Sequence, residues 1–283
     1  MLLDLDVVTI TRNDYAGLRR TLLSLPPDIA SVVVIDASSD HLVSESICCQ
    51  IGKDKSYPVM YFRQSGFGIF AAMNQGLANV RSKWCIFMNS GDTFHQTNFL
   101  FSAINNANRL GLDLIVCRTL VLDSNRRPLG VSPHSLLLSV RFYKILVCLF
   151  PSFFWPCHQS ILFNVAVHRQ FLYPDVSIGG DQFVISCFMK RPILLSDSVL
   201  SCVDTVGISS ALPNSFFLFY DQALASFRSH QFRRLCGLVA KFSMFLLGFR
   251  SLDNFRVFRF KYLSPAVSTF ARFIDKLFGT SEK

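Results

Sequence analysis

Asp92 follows Asn89, Ser90 and Gly91 and stands just past the apolar run Trp84–Asn89. A carboxylate beyond the end of a buried strand, beside a glycine that lets the backbone come close, can hold a hard cation against phosphate oxygens. The same residues could also serve only as a Gly–Asp turn between strand and helix. Two other polar residues end apolar runs: Asp36 closes Ser31–Asp36, and Arg63 closes Pro58–Arg63. Arg63 could contact phosphate or be an ordinary surface cation. Asp36 could bond to the Ser38 or Ser39 amides of its own turn.

These residues need strands that end together. Asp6–Thr11 and Ser31–Asp36 are β-branched apolar runs and read as buried strands. Pro58–Arg63 is a third strand, Trp84–Asn89 a fourth and Asp113–Leu122 a fifth. Helices are expected around Leu18–Leu25, ended by Pro26–Pro27, and over Phe70–Val80 and Thr97–Leu110. Alternation of this kind implies an α/β fold with a mainly parallel sheet covered on both faces. Ligands then bind beyond the carboxyl ends of the strands, where Asp36, Arg63 and Asp92 lie. After Asp123 the pattern loosens. The next informative segments are Pro156–Asn164, and Ile178–Met189 with Gly179–Gly180 before Asp181.

The 283 residues are 51% hydrophobic and 17% charged, enough for one sizeable α/β domain plus an appendage. From Ser215 onward eleven cations face four acids, so this segment holds +7 of the net +9. Such asymmetry points to an anionic partner for that end. Nine cysteines form no CxxC pair and read as buried thiols, without disulfides or zinc. Met1–Val8 carries acids where an export signal carries cations, so none is expected. Leu136–Trp155 contains Arg141, Lys144 and Pro151, and Gly237–Phe249 is short and carries Lys241. No transmembrane segment is expected from either.

Four segments in order, VVTITRNDYAGLRRTLLSL, VVVIDASSD, GIFAAMNQGL…CIFMNSGD, and HQSILF followed by GGDQF, resemble the family 2 glycosyltransferases of bacterial polysaccharide assembly. The resemblance covers roughly residues 4–190. It implies a GT-A (Rossmann-like) fold and transfer of a sugar from a nucleoside-diphosphate-sugar to a glycan or lipid-linked acceptor, inverting and dependent on Mn²⁺ or Mg²⁺. It places Thr9 and Asp36 around the base and ribose, with Arg63, Asn74, Ser90 and Gly91 also on the donor side. Asp92 becomes the metal-binding acid. Asp181 becomes the general base that takes the proton of the attacking hydroxyl, where an N-cap aspartate is the competing reading. His158 and Gln159 are implied to line the acceptor or diphosphate side, where a buried core histidine is the competing reading.

At Gln64, Gly66 and Ala71 the chain departs from its relatives, which carry acids there. Donor identity is therefore open, and a catalytically weakened sugar-nucleotide-binding protein is the first alternative. The division expected is a catalytic domain over residues 1–213 and a basic, Phe-rich helical appendage over residues 214–283. Arg and Lys residues interleave there with Phe232, Phe242, Phe249, Phe258 and Phe273. This suits an anionic membrane surface, hence a cytoplasmic protein peripheral at the inner face of the cell membrane. Packing of the Phe face on the catalytic domain is the competing reading. No RNP-type or helix-turn-helix signature is present, so nucleic acid is not the expected partner. An α/β protein binding nucleic acid through the basic segment stands as the second alternative.

Overall fold

The computed structural model describes residues 2–133, 136–149, 154–176 and 179–204. The boundary after residue 213 and the basic segment over residues 214–283 lie outside the described residues.

β1 (Leu5–Thr11) and β2 (Ser31–Asp36) are buried along their whole length, as continuous apolar, β-branched runs require. They pair in parallel, with Thr11 opposite Asp36. β3 (Val59–Arg63) extends this parallel array beyond β2, and β4 (Trp84–Phe87) extends it beyond β1. The parallel sheet expected from the sequence is what these four strands make. The remainder is mixed. β6 (Leu114–Leu122) takes β7 (Pro128–Ser132) as an antiparallel hairpin partner. β8 (Ile161–Asn164) runs antiparallel between β4 and β6. β9 (Ile193–Asp204) is parallel to β6 and antiparallel to the short β5 (Thr93–Phe94). Among the described residues they form one nine-stranded sheet in the order β3-β2-β1-β4-β8-β6-β9-β5, with β7 paired to β6.

Strand side chains alternate between faces, and two cores result. Val7, Val32 and Val34 pack with α1 (Tyr15–Leu23), α2 (His41–Asp54) and α4 (Leu100–Leu110). Val8, Ile10, Val33 and Ile35 pack with α3 (Ile69–Asn79), with α5 (Val140–Leu149), and with Val184, Ile185 and Phe188 of a helix over Gly180–Phe188. The short α6 (Val165–His168) follows β8, and the Gly180–Phe188 helix is α7. No helix among the described residues is long and apolar enough to cross a membrane. Every cysteine whose side chain is described is free.

The pair Gly179–Gly180 has a packing reason. Gly179 takes φ +82° ahead of α7, and a Cβ on Gly180 would sit 2.8 Å from the Phe70 ring. Phe70 in turn stacks on Tyr173 with centroids 5.7 Å apart. Gly180→Ala is therefore expected to cost about 1–3 kcal/mol by overpacking. Chemical denaturation checks it; an unchanged midpoint would contradict this packing.

Candidate functional site

The turn from Asn89 to Asp92 is fastened by the polar face of α1. Asp14 caps that helix, its Oδ1 accepting from the Gly17 amide at 2.9 Å. Ser90 Oγ lies 2.9 Å from the Asp14 carbonyl and 3.0 Å from Asp14 Oδ2. The Thr21 hydroxyl accepts from the Gly91 amide at 3.0 Å and donates to the Asp92 carbonyl at 2.7 Å. Arg20 Nε reaches the Gly91 carbonyl at 3.4 Å. Gly91 has φ +97°, a conformation that side chains disfavour. The backbone before Asp92 is thus set without any ligand. Sequence reasoning missed Arg20 and Thr21, which lie in an ordinary amphipathic helix pattern.

Asp92 is half-buried, and its carboxylate meets residues from distant elements. Gln159 hydrogen-bonds to it, and Gln159 Oε1 also accepts from the Cys157 thiol at 2.9 Å. Asp204, the last residue of β9, bears on it electrostatically, as do Arg126 and Arg20. Burial first, then repulsion from Asp204, push the Asp92 carboxyl up to about 7, against the Gln159 hydrogen bond and the two arginines. Arg126 comes from the turn between β6 and β7 and donates from Nη1 to Asp204 Oδ2 at 2.7 Å. Asp204 Oδ1 is buried without a hydrogen-bond partner, as are Asn89 Oδ1, Thr9 Oγ1 and Thr11 Oγ1. Unsatisfied buried oxygens are rare, and here they sit on segments at the sheet's C-terminal edge.

Asp181 lies in the first turn of α7, while Gly179 occupies the N-cap, so Asp181 is not the capping residue. Its charge and that of Asp92 both reach Cys157, whose thiol burial pushes up to about 12. The charges of the expected base and of the expected metal acid thus both bear on the Cys157 thiol. Among the described residues no group of three or more His, Cys, Asp or Glu is placed to hold a metal ion. Asp92 still suits a hard divalent cation whose other positions are filled by phosphate and water oxygens. A cation there would relieve the repulsion from Asp204.

The other expected residues have different surroundings. Asp36 is fully buried; Oδ1 accepts from the Ser38 amide at 2.7 Å and Oδ2 from the Tyr61 hydroxyl at 2.7 Å. It thereby shapes the turn after β2. Thr9 is fully buried within β1. Arg63 is exposed at the end of β3. The Asn74 amide brackets the Tyr173 backbone, with both hydrogen bonds at 2.9 Å.

His158 is a core residue and does not line an open side. Its Nε2 is 2.6 Å from the Tyr173 hydroxyl, which also meets His168 Nε2 at 3.1 Å. Phe87, Phe163 and Phe188 enclose the group. Burial pushes His158 down to about 3 and His168 to about 4. The folded chain refuses protons that the unfolded chain takes below about 6.5. Their contribution to stability is thus present above that pH and is lost as pH falls toward 4. NMR should show neither imidazole titrating between pH 5 and 8; a midpoint near 6.5 would contradict their burial.

The segment that departs from the family pattern is held by its own hydrogen bonds. Gln64 Nε2 donates to the Gly66 and Gly68 carbonyls at 2.8 and 2.9 Å. A Cβ on Gly66 would lie 2.9 Å from Ala71 Cβ, so the small residues at 66 and 71 fit each other. The loop presents Phe67, which is 95% exposed. A separate groove of about 580 Å³ lies between α4 and the start of β9, lined by Phe99, Asn106, Arg109 and Leu195. It contains none of the residues around Asp92.

A profile described as Glycosyl transferase family 2 matches residues 6–172. S. aureus TarS 1–349 in complex with UDP-GlcNAc is similar in structure, with TM-score 0.56 and 17% identity over 78% of this chain and 65% of that one. The same fragment in complex with UDP gives TM-score 0.54, 16% identity, and 78% and 64% coverage. Against S. aureus TarS itself the TM-score is 0.52, with 17% identity and 39% of that chain covered. The match thus spans just under two thirds of the fragment and about two fifths of the larger chain. At such identities the likeness is one of fold, the GT-A sheet. No curated protein matches the sequence.

Proposed function

The chain belongs to glycosyl transferase family 2, and from that we propose that it moves a sugar from a nucleoside-diphosphate-sugar to a hydroxyl of a glycan or lipid-linked acceptor. The proposed reaction inverts the anomeric centre and uses Mn²⁺ or Mg²⁺. The observation that supports it is that Gln159 bonds both Asp92 and Cys157, and that Asp92 and Asp181 both bear electrostatically on Cys157.

A divalent cation, when bound, neutralises charge on the departing diphosphate, and Asp92 is the residue to hold it. Asp181 accepts the proton of the acceptor hydroxyl as its oxygen attacks the anomeric carbon. The anomeric carbon–oxygen bond to the phosphate breaks, and the nucleoside diphosphate leaves with the electron pair. A single displacement of this kind inverts the centre. Arg20 and Arg126 place positive charge beside Asp92, where the leaving group's charge grows. Gln159 holds the Asp92 carboxylate in place. Ser90 and Gly91 belong to the turn that fixes its backbone.

The loop from Gln64 to Gly68, held by its own hydrogen bonds, favours one second reading, a protein that binds sugar nucleotide without turning it over. The similar S. aureus fragment is seen with UDP-GlcNAc and UDP, so UDP and UDP-sugars head the test. Thermal unfolding with millimolar nucleoside diphosphates and their sugars, each with Mn²⁺, should show a rise for at least one. No rise with any of them sinks both readings. The basic segment over residues 214–283 is proposed to hold the enzyme at an anionic membrane face, on its Arg, Lys and Phe content alone. Equal recovery of the full chain on neutral and anionic vesicles would exclude that.

A further inference from the structure

Asp204 carries no sequence signal: it ends β9, a strand the apolar pattern does not single out. The fold brings it to the site. β5 pairs antiparallel with β9, Thr93 opposite Cys202 and Phe94 opposite Ser201. Continuing this register places Val203 opposite Asp92 and Asp204 opposite Gly91, so the end of β9 runs alongside the Asn89–Asp92 turn. The two carboxylates are close enough to repel.

The two oxygens of Asp204 are treated differently. Oδ2 is held by Arg126 at 2.7 Å. Oδ1 is buried and has no hydrogen-bond partner. Leaving a buried carboxylate oxygen unsatisfied is costly, more so for a charged group than for a neutral one. Two arginines nearby do not correct this: Arg126 is already placed on Oδ2, and Arg20 is placed on the Gly91 carbonyl. What the arrangement lacks is a compact positive charge able to accept lone pairs from oxygens of both acids. Mg²⁺ and Mn²⁺ are such charges, and are commonly held by one or two carboxylates plus phosphate.

We propose that Asp204 is a second carboxylate ligand of the divalent cation held by Asp92, and that Arg126, from its grip on Oδ2, is the positioning residue that aims Oδ1 at the ion. The inference rests on the metal-dependent reading above and goes beyond it in one respect. A single carboxylate would collect its cation together with the diphosphate. Two neighbouring carboxylates bind the cation first and present it to the donor. The negative charge missing at Gln64, Gly66 and Ala71 is then supplied from the other side of the sheet, by β9.

The test is Mn²⁺ binding by the full chain, followed by the electron paramagnetic resonance signal of free Mn²⁺, with and without UDP. Wild type should bind Mn²⁺ without nucleotide. Asp204→Asn should weaken that binding by roughly tenfold or more, a loss typical of damaged metal sites. Asp204→Glu, which keeps the charge, should retain most of it, and Arg126→Gln should fall between. Circular dichroism of each variant separates loss of the site from loss of the fold, and Asp204→Glu and Arg126→Gln carry the test if Asp204→Asn unfolds. If Asp204→Asn binds Mn²⁺ as tightly as wild type while Asp92→Asn does not, Asp204 is no ligand and the metal-dependent reading stands. If wild type binds no Mn²⁺ even with UDP, both fall.

Discussion

Asp92→Asn is expected to reduce sugar transfer by a factor of about 10³ or more, because it removes the anchor for charge stabilisation of the leaving diphosphate. The substitution keeps the shape of the side chain. The turn that carries it is held through backbone groups, by Thr21 and Ser90, and not through the carboxylate. Stability should therefore survive, and the sign of the change can be worked out. Burial and repulsion from Asp204 raise the carboxyl to about 7 in the folded chain. A raised carboxyl contributes stability that is fully present near pH 4 and is lost as pH climbs through 7. Above pH 7 the wild-type chain without metal carries a half-buried charge that the asparagine variant does not. The variant should melt at the same temperature or higher at pH 8 while its activity is gone. A large fall in melting temperature would mean that the carboxylate holds the fold, and the assignment as metal anchor would be wrong.

Asp181→Asn should lower kcat by about 10²–10⁴, the usual worth of a positioned base, while donor binding stays close to wild type. The separation follows from where the residue sits. It stands on α7, in the first helical turn, packed through Gly180 onto Phe70 and so onto the aromatic cluster beneath the site. The Asn89–Asp92 turn is fastened by α1 instead. The two proposed sides thus rest on different elements, and a change on one need not move the other. Steady-state kinetics with saturating acceptor checks this. A variant with normal kcat and a raised donor KM would place Asp181 on the donor and remove it as base.

How far these sites could be read from sequence varies element by element. β1, β2 and β4 are continuous apolar runs, and a buried parallel strand has no other way to look. Asp92 was visible because it breaks such a run beside a glycine. α2 was not, because only Ser44, Cys48 and Ile51 of its fourteen residues are buried and the apolar stripe is thin. β9 was not, because it is half-exposed over Leu194–Ser198 and contains Asp197. Asp204 and Arg126 went unseen with it, since their approach to Asp92 depends on β9 returning beside β5 and on a turn between β6 and β7. His158 and Asn74 illustrate the converse. Both match the family pattern, and in the fold the buried His158 meets the Tyr173 hydroxyl through Nε2 while Asn74 brackets the Tyr173 backbone. A polar residue in a motif says that its contact matters, and only the fold says whether the partner is a ligand or the chain itself.

The central claim is that this sheet edge releases a nucleoside diphosphate from its sugar with the help of a divalent cation. The most direct measurement is nucleoside diphosphate released by the full chain from a panel of nucleoside-diphosphate-sugars, with Mn²⁺, with EDTA, and with Asp92→Asn in place of wild type. Release from at least one donor with Mn²⁺, abolished by EDTA and by the substitution, is the predicted result. Release that persists undiminished in EDTA and in Asp92→Asn, or a folded wild-type protein that releases nothing from any donor, would contradict it.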